Sequence, residues 1–522
     1  MGRIEQWARR FWSTRKTNEK HKLTKYYVWG PLSTLVQVTL TGMIGNYYYM
    51  DQNKLILYSV DVHKEASAKD PVFHSKTIAA ARNIAHIKDQ VIIGLAVENA
   101  LPEKIREKIS TAYTDVLMTL PPNLIHRLVE IMRKTGKPLI GRGLGTWAKK
   151  KINATIESWS TGMLEHYAVK YLRQLRDIIR LTHPKTSDDL RNKIYRWIAY
   201  GGKTEAPTDT LKAYSEFMEM VGTGRYGKAL ETAVEHSFPF EIVRSNIPAS
   251  KLAENPALAS EAVNKLITPT QLYLNIRYLM RFMDKSSISS LILRMAGRGR
   301  SSAWDIARAY LAVKDEEIRE ALNKAYSKAT ANIQLPGLPE ISSVIVYDLS
   351  GSMENLYAKA VAMSLPLAET AVAFVGFSNG AHEVPFKPND LGSIEKIRSW
   401  AYMIGLFRGT DLGAGVKLGA ELAKAHGAKA VYVFTDEQEN LSFYGQAVDI
   451  IRSNRNINFV VVNATPYPTH AVPLKDENLI TLPACTPETL IASYRLMQLK
   501  EAGEEEAKEY VEKIAETAKS KH

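Results

Sequence analysis

Between Gln334 and Glu340 two prolines and a glycine punctuate the chain, and the rhythm of its apolar residues differs on the two sides. Upstream, from about 75 to 330, apolar residues recur at helical spacing over 75–100, 104–119, 122–135, 161–181, 188–199, 209–221, 225–235, 258–282 and 303–329. Short breaks carry Pro102, Pro121 and Pro122, Gly136, Pro184, Gly201 and Gly202, Pro239 and Pro269. Helices of ordinary length with short connections predict stacked antiparallel pairs, and no fixed-period repeat is visible in them. Downstream, β-branched runs at Val344–Tyr347, Ala371–Phe377, Ala430–Phe434 and Phe459–Val462 alternate with helical stretches near 355–366, 390–402, 411–426 and 443–454. That alternation predicts a doubly wound, mainly parallel sheet. The predicted fold class is therefore multidomain: an all-α HEAT-like helical body joined to an α/β doubly wound domain.

Charge divides along the same line. From Ile341 onward there are 17 Lys and Arg against 22 Asp and Glu, a net of −5, whereas residues 1–340 hold 51 against 33, a net of +18. A polyanion suits the first part and not the second. With 45% hydrophobic and 9% aromatic residues the chain is not disordered as a whole, and 522 residues suffice for two or three cores. Cys485 is the single cysteine, which excludes an intramolecular disulfide or a cysteine-based zinc cluster and reads as intracellular. Residues 26–50 are uncharged, but Gly30, Pro31, Gln37, Gly42, Gly45 and Asn46 dilute their apolar character, so a buried helix and turn is expected in place of a membrane span. The basic first 24 residues lack the apolar run of a secretory signal, and Gln6 breaks a myristoylation pattern.

The run Val344–Tyr347 leads directly into Asp348-Leu349-Ser350-Gly351-Ser352. In a doubly wound sheet, ligands bind where loops leave the carboxyl ends of strands. An Asp and two hydroxyls at alternate positions, turning at Gly351, converge on one hard cation, and Thr410 and Asp436 stand at two further loops of the same edge. Oxygen donors with few formal charges suit Mg²⁺. The arrangement resembles the metal-ion-dependent adhesion site of von Willebrand factor A domains, a binding module whose ion is completed by a partner's carboxylate. The alternative is that Ser350 and Ser352 only cap the following helix. Catalysis would need a base or nucleophile beside the metal; Glu437 and His382 are the nearest candidates, and neither has an identifiable partner.

In the helical part, residues 131–156 hold Arg133, Lys134, Lys137, Arg142, Lys149, Lys150 and Lys151 and no acid. Their Gly141-Arg142-Gly143-Leu144-Gly145 loop would let a backbone approach phosphate, but it follows no predicted strand and so does not read as a dinucleotide site. On the next helix Lys170, Arg173, Arg176 and Arg180 fall within an arc of about 120° at 100° per residue, opposite Tyr171, Leu172, Leu175, Ile178 and Ile179. His183 ends that helix ahead of Pro184. A solvated face with a C-terminal histidine would look the same; the neighbouring acid-free run and the +18 excess favour nucleic acid.

Gly141-Arg142-Gly143-Leu144, Lys170-Tyr171 and Leu181-Thr182-His183-Pro184-Lys185, followed by the linker and the adhesion-type site, resemble the Ro autoantigen family of TROVE-domain proteins. Gly45-Asn46-Tyr47-Tyr48 is similar to that family's Gly-Thr-Tyr-Tyr segment, and Leu274-Asn275-Ile276 to its Arg-Asn-Leu, with Leu274 in place of the arginine. The resemblance spans about 25–500. It implies a TROVE helical-repeat ring at 25–335 and a von Willebrand factor A-like domain at 341–500; the basic extension at 1–24 and the charged helix or tail at 501–522 are departures with no counterpart in the family. It further implies that a Y or Y-like RNA lies on the basic outer surface and that single-stranded 3′ ends of misfolded non-coding RNA enter a central hole. On matching positions Lys170, His183 and one of Arg173 and Arg176 would contact Y RNA, with Arg142 and Lys149, Lys150 and Lys151 at the groove or hole. The expected protein is a cytoplasmic, monomeric RNA quality-control factor, not an enzyme. It holds Mg²⁺, touches no membrane and hands RNA to a 3′ to 5′ exoribonuclease. The runner-up is a Mg²⁺-dependent scaffold recruiting an acidic protein ligand through the A domain; a metal-dependent nuclease comes third, lacking the acidic clustering of two-metal sites.

Overall fold

The computed structural model describes residues 35, 39, 52–84, 88–134, 143–296, 303–330, 339–436, 444–464, 478–482, 487–502 and 504–519. Arg142, Glu437, Cys485, the Gly45–Tyr48 segment and the first 24 residues lie outside them. The chain divides into two compact units: the described residues 59–294 and those from 512 belong to one, and 35, 39, 52–58 and 295–511 to the other, so that the helix Gln52–Lys69 begins in the second and continues in the first.

The first unit is helical: α1 (Gln52–Lys69), α2 (Pro71–Ile84), α3 (Lys88–Ala100), α4 (Glu103–Lys108), α5 (Ser110–Met118), α6 (Pro122–Lys134), α7 (Thr146–Ser158), α8 (Thr161–Thr182), α9 (Asp189–Ala199), α10 (Asp209–Gly222), α11 (Tyr226–Glu235), α12 (Phe240–Asn246), α13 (Ala249–Ala253), α14 (Pro256–Leu266), α15 (Pro269–Leu279) and α16 (Lys285–Met295). Neighbours pack in succession, α2 on α3, α3 on α6, α6 on α8, α8 on α9, and α10 on α11. Several starts are built by side-chain caps: Ser160 accepts from Met163 N–H, Asp188 from Arg191 N–H and Asn255 from Leu258 N–H, while Thr268 and Gln271 form a capping box. Four segments expected as continuous helices are broken: 75–100 is divided between α2 and α3, 303–329 is interrupted at 313–315, and two more have a visible local cause. The stretch 104–119 turns at Ile109, whose φ of −95° and ψ of 1° are not helical, and 258–282 stops at Ile267 because Pro269 forces its predecessor out of the helical region.

The core of this unit contains a row of buried polar groups. Gln90 Nε2 donates to Ser59 Oγ (3.0 Å), which turns its carbonyl oxygen toward His63 Nε2 (3.2 Å); His63 Nδ1 meets His74 Nε2 at 2.9 Å, and His74 Nδ1 meets Glu98 Oε1 at 3.0 Å. With the amide fixed in this direction His63 must donate from Nε2, His74 must donate to His63, and one proton must lie between His74 and Glu98. Burial pushes the Glu98 carboxyl up to about 8 and the His74 imidazole down to about 3.

The second unit holds α17 (Ala303–Ala312), α18 (Glu316–Thr330), β1 (Ser343–Asp348), α19 (Tyr357–Ser364), β2 (Ala371–Phe377), β3 (Ala381–Glu383), α20 (Ser393–Met403), α21 (Leu412–His426), β4 (Ala430–Thr435), α22 (Tyr444–Ser453), β5 (Asn458–Asn463), β6 (Leu479–Leu482) and α23 (Pro487–Ala502); α24 (Glu504–Lys519) follows. The sheet order is β3-β2-β1-β4-β5-β6, parallel except for β3. β1 and β4 are buried throughout, the pattern of strands covered on both faces. β3 and β6 are too short to stand out as apolar runs in the sequence. α17 and α18 precede the linker yet pack here: Tyr326 donates to Ala362 O (2.6 Å), and Leu391 N–H donates to Asn323 Oδ1 (2.8 Å). α21 lies close across the sheet at Gly415 and Gly419, where a Cβ would come within 2.5 Å of the Phe377 ring and 2.8 Å of Val346.

The buried proton of the helical unit makes stability depend on pH. Glu98 titrates at about 8 when folded against 4.5 as a free group, so the folded state holds a proton that the unfolded chain lacks and stability falls as pH rises through that window. His74, at about 3 against 6.5, acts oppositely between those values. Between 4.5 and 6.5 His74 offsets Glu98, and His63, which burial also holds well below its ordinary value, adds to His74; above 6.5 Glu98 is the group of this row that remains. The melting temperature is expected to fall between about pH 6.5 and 8, and Glu98→Gln, whose amide N–H still donates to His74, to remove that fall; thermal melts across pH read both.

Candidate nucleic-acid interface and metal centre

α8 presents the basic positions of the helical unit. Leu164, Ala168, Val169, Leu175, Ile178 and Ile179 are buried, and Arg173 and Arg180 are exposed on the other side. The arc expected for an ideal helix is interrupted at Tyr171, whose φ of −128° and ψ of 31° kink α8 immediately after Lys170. Tyr171 and Leu172 are consequently only half-buried. Lys170 is held apart from the arginines: its ammonium bonds Glu241 Oε1 of α12 at 3.1 Å and lies 5.5 Å from the Tyr171 ring centre. Burial raises the Glu241 carboxyl while its own N–H, Lys170 and Gln271 lower it, and the net direction is down. Arg176 reaches over the Gly201 turn and lies 3.7 Å from Asp177.

His183 caps α8 in the left-handed conformation, φ 52° and ψ 62°, its N–H donating to Ile179 O at 2.9 Å while Pro184 prevents continuation. Its exposed ring begins a turn organised by Glu157, a residue that sequence reasoning passed over. Glu157 accepts from Thr186 Oγ1 (2.7 Å) and Tyr195 OH (3.0 Å), and Arg191, 3.9 Å away, donates to Ile156 O and Trp159 O. On α7, Lys150 is exposed, Lys149 half-buried, and Lys151 donates to Ser110 Oγ at 2.6 Å beside Trp147. Of the residues expected to meet RNA, the structure thus gathers Arg173, Arg176 and His183 on α8 and leaves Lys170 and Lys151 engaged with protein partners.

In the second unit the carboxyl ends of β1 and β4 lie side by side, with Tyr347 opposite Phe434. Asp348 is fully buried; Ser350 N–H donates to its Oδ1 (2.9 Å) and Thr435 Oγ1 to its Oδ2 (2.6 Å). Burial is the main cause that pushes its carboxyl up to about 7; the Ser350 and Thr435 hydrogen bonds oppose this, and the charge of Asp436 adds to it. The Ser350 and Ser352 hydroxyls lie 3.2 Å apart, and Thr410 and Asp436 are buried. The serines are not helix caps, because α19 starts at Tyr357 behind a turn. The loop carrying Thr410 is tied to the Asp348 loop by Gly351 N–H to Arg408 O (2.7 Å) and Phe407 N–H to Leu349 O (2.7 Å), and a Cβ on Gly351 would sit 3.3 Å from that Arg408 oxygen. Ser378, missed in the sequence, fixes the same loop: its hydroxyl accepts from Arg408 N–H (3.0 Å) and donates to Gly409 O (2.9 Å).

This donor set fits a hard cation: two carboxylates held out of water, with hydroxyls in place of further charge. Among the described residues no group of three or more His, Cys, Asp or Glu could hold a metal ion, so any metal here must draw on the hydroxyls. His382 is exposed on the short edge strand β3. No helix among the described residues is long and apolar enough to cross a membrane.

Truncating Glu157→Ala removes two hydrogen-bond acceptors beneath the His183 turn. The expected cost is roughly 1–2 kcal/mol, with faster amide exchange confined to 183–192. Unchanged exchange there would show that the turn stands without Glu157.

No family model matches the chain, and no curated protein matches it. Among solved structures, that of the Ro (RSR) protein of Deinococcus radiodurans matches with a TM-score of 0.67 at 18% identity, covering 90% of this chain and 100% of that one. The chain has the fold of a Ro protein, helical body and α/β domain together.

Proposed function

We propose that the protein is a Ro-type RNA-binding protein that holds a structured RNA by its phosphates and performs no chemistry on it. The observation that carries this reading is the exposed side of α8, with the cations Arg173 and Arg180 and the exposed His183 at its end, standing on a face whose reverse is core. It stands in the part of the chain that carries the +18 charge. Phosphate neutralisation would supply most of the affinity, and a protein selecting RNA by shape and charge need read no base edge. A Y or Y-like RNA on this surface, single-stranded 3′ ends of misfolded RNA at a second site near Lys149–Lys151, and delivery to a 3′ to 5′ exoribonuclease in the cytoplasm complete the proposal. Lys170 joins such a surface only by exchanging Glu241 for a phosphate.

A second reading concerns the α/β unit. Asp348, Ser350, Ser352, Thr410 and Asp436 would hold Mg²⁺, which would supply one open position to a carboxylate of a protein partner. A charge-poor donor set, buried at Asp348, Ser350, Thr410 and Asp436 and open to solvent at Ser352, supports it.

Fluorescence anisotropy with a labelled stem-loop RNA tests the first reading. Affinity should fall steeply with salt, and Arg173→Glu with Arg180→Glu should weaken binding at least about tenfold and flatten the salt slope by about one unit for each arginine removed. Glu241→Gln should tighten binding by freeing Lys170. Asp348→Ala should leave RNA affinity unchanged while abolishing Mn²⁺ binding; a wild-type protein that binds no RNA at low salt sinks the reading.

A further inference from the structure

The end of α20 and the loop that joins it to the candidate metal centre expose large apolar side chains. Tyr402, Met403 and Ile404 are 49%, 77% and 36% exposed, three consecutive large apolar residues turned to water. Isolated exposed apolar residues are ordinary, but a contiguous group marks an interaction surface. The loop holding them is not slack. Gly405 and Phe407 both take positive φ, 77° and 62°, and the second is a conformation that a bulky side chain adopts only when its surroundings impose it. The imposition is visible: Phe407 N–H donates to Leu349 O, its ring packs 4.9 Å from Tyr402 and 5.7 Å from Tyr357, and the Tyr402 hydroxyl donates to Glu354. A backbone distorted and braced in this way displays Met403 outward on the segment that leads to Thr410.

The charge beside this apolar group is positive. Arg408 is exposed, its guanidinium lying over Gly405, and Arg398 sits 5.6 Å from the Tyr402 ring centre. Glu354, the acid that meets the group, accepts from Tyr402 and lies in the field of Arg398, so the two charges offset each other. A divalent cation in the metal site would be balanced by Asp348 and Asp436. The surface is therefore apolar with a positive edge at Arg408, complementary to an acidic and apolar partner.

We propose that Tyr402, Met403, Ile404 and Arg408 form, with the metal loop, a composite docking surface for an extended acidic–apolar segment of another protein. The segment places a carboxylate at the metal and, within the next few residues, a large apolar side chain on Met403. This rests on the metal reading above. The observations favour protein over RNA because Met403 and Ile404 offer a base no π-face and the Tyr402 ring is already engaged by Phe407 and Arg398.

The test uses the full chain, Mn²⁺ as the metal, and a synthetic hexapeptide array in which Asp or Glu is followed a few positions later by Leu, Phe or Ser. Calorimetry should show Mn²⁺ binding to wild type and to Met403→Asp but not to Asp348→Ala. With Mn²⁺ present, Leu and Phe peptides should bind roughly tenfold more tightly than their Ser counterparts, the contribution of one apolar side chain leaving water. Met403→Asp, at a position that is 77% exposed, should erase that preference while folding and binding Mn²⁺ as wild type does. Equal binding of Leu and Ser peptides, or a preference that survives Met403→Asp, overturns the docking surface and leaves the metal reading intact. Wild type that binds no Mn²⁺ overturns both. Displacement of the peptides by oligouridylate, or a dimer of this chain that Met403→Asp abolishes, assigns the surface to RNA or to a second copy and equally overturns the proposal.

Discussion

A carboxylate buried at the end of a central strand organises the α/β unit. The strand order reverses at β1: one crossover leads to β2 on one side of it and the next returns to β4 on the other, which leaves a crevice above the two adjacent strand ends. Asp348 and Thr435 meet in that crevice because β1 and β4 are in register, and their hydrogen bond needs no loop to adapt. The cost is an acid out of water beside a second acid, Asp436. Two hydrogen bonds make this tolerable: the Ser350 N–H and the Thr435 hydroxyl each satisfy one carboxyl oxygen.

The helical unit solves a different problem. Its exposed charges remain hydrated and its buried histidines are paired with polar neighbours, so recognition and stability draw on separate residues. Arg173 and Arg180 lose little by being solvated, whereas His63, His74 and Glu98 tolerate burial only as a directed hydrogen-bond row closed by Gln90 and Ser59. Lys170 is intermediate, since its link to Glu241 is half-buried, strong enough to orient the ammonium and weak enough to exchange.

How much of this can be read in the sequence depends on the range of the interactions involved. The four central strands are legible because strands covered on both faces are continuous β-branched runs, and Asp348, Ser350 and Ser352 because their spacing is local. β3 and β6 are not: such short strands at a sheet edge carry no periodicity. The stripe on α8 is legible as far as ideal helix geometry holds, and the kink at Tyr171 lies beyond it. Glu241, Glu157 and Ser378 are invisible, because an isolated acid or serine acquires its role only from residues that the fold brings beside it. Whether Ser350 and Ser352 cap the following helix is of the same kind: it depends on the turn that carries the chain from Gly351 to the start of α19 at Tyr357, a turn that local spacing does not specify.

The two kinds of site imply two kinds of selectivity. A hydrated arginine stripe acts over a Debye length, about 8 Å in physiological salt, and discriminates poorly between one polyanion and another. Selection there must come from the shape that lets several phosphates reach Arg173, Arg176 and the His183 turn together. The proposed metal site at Asp348 would work at contact distance, since Asp348, Ser350, Thr410 and Asp436 are buried and only donor atoms matching that oriented set would be accepted. Salt should therefore separate the two activities: ionic strength that dissociates a phosphate-held RNA leaves a buried carboxylate–hydroxyl site nearly unaffected. On the proposed function, one chain would release one partner and keep the other with no conformational change.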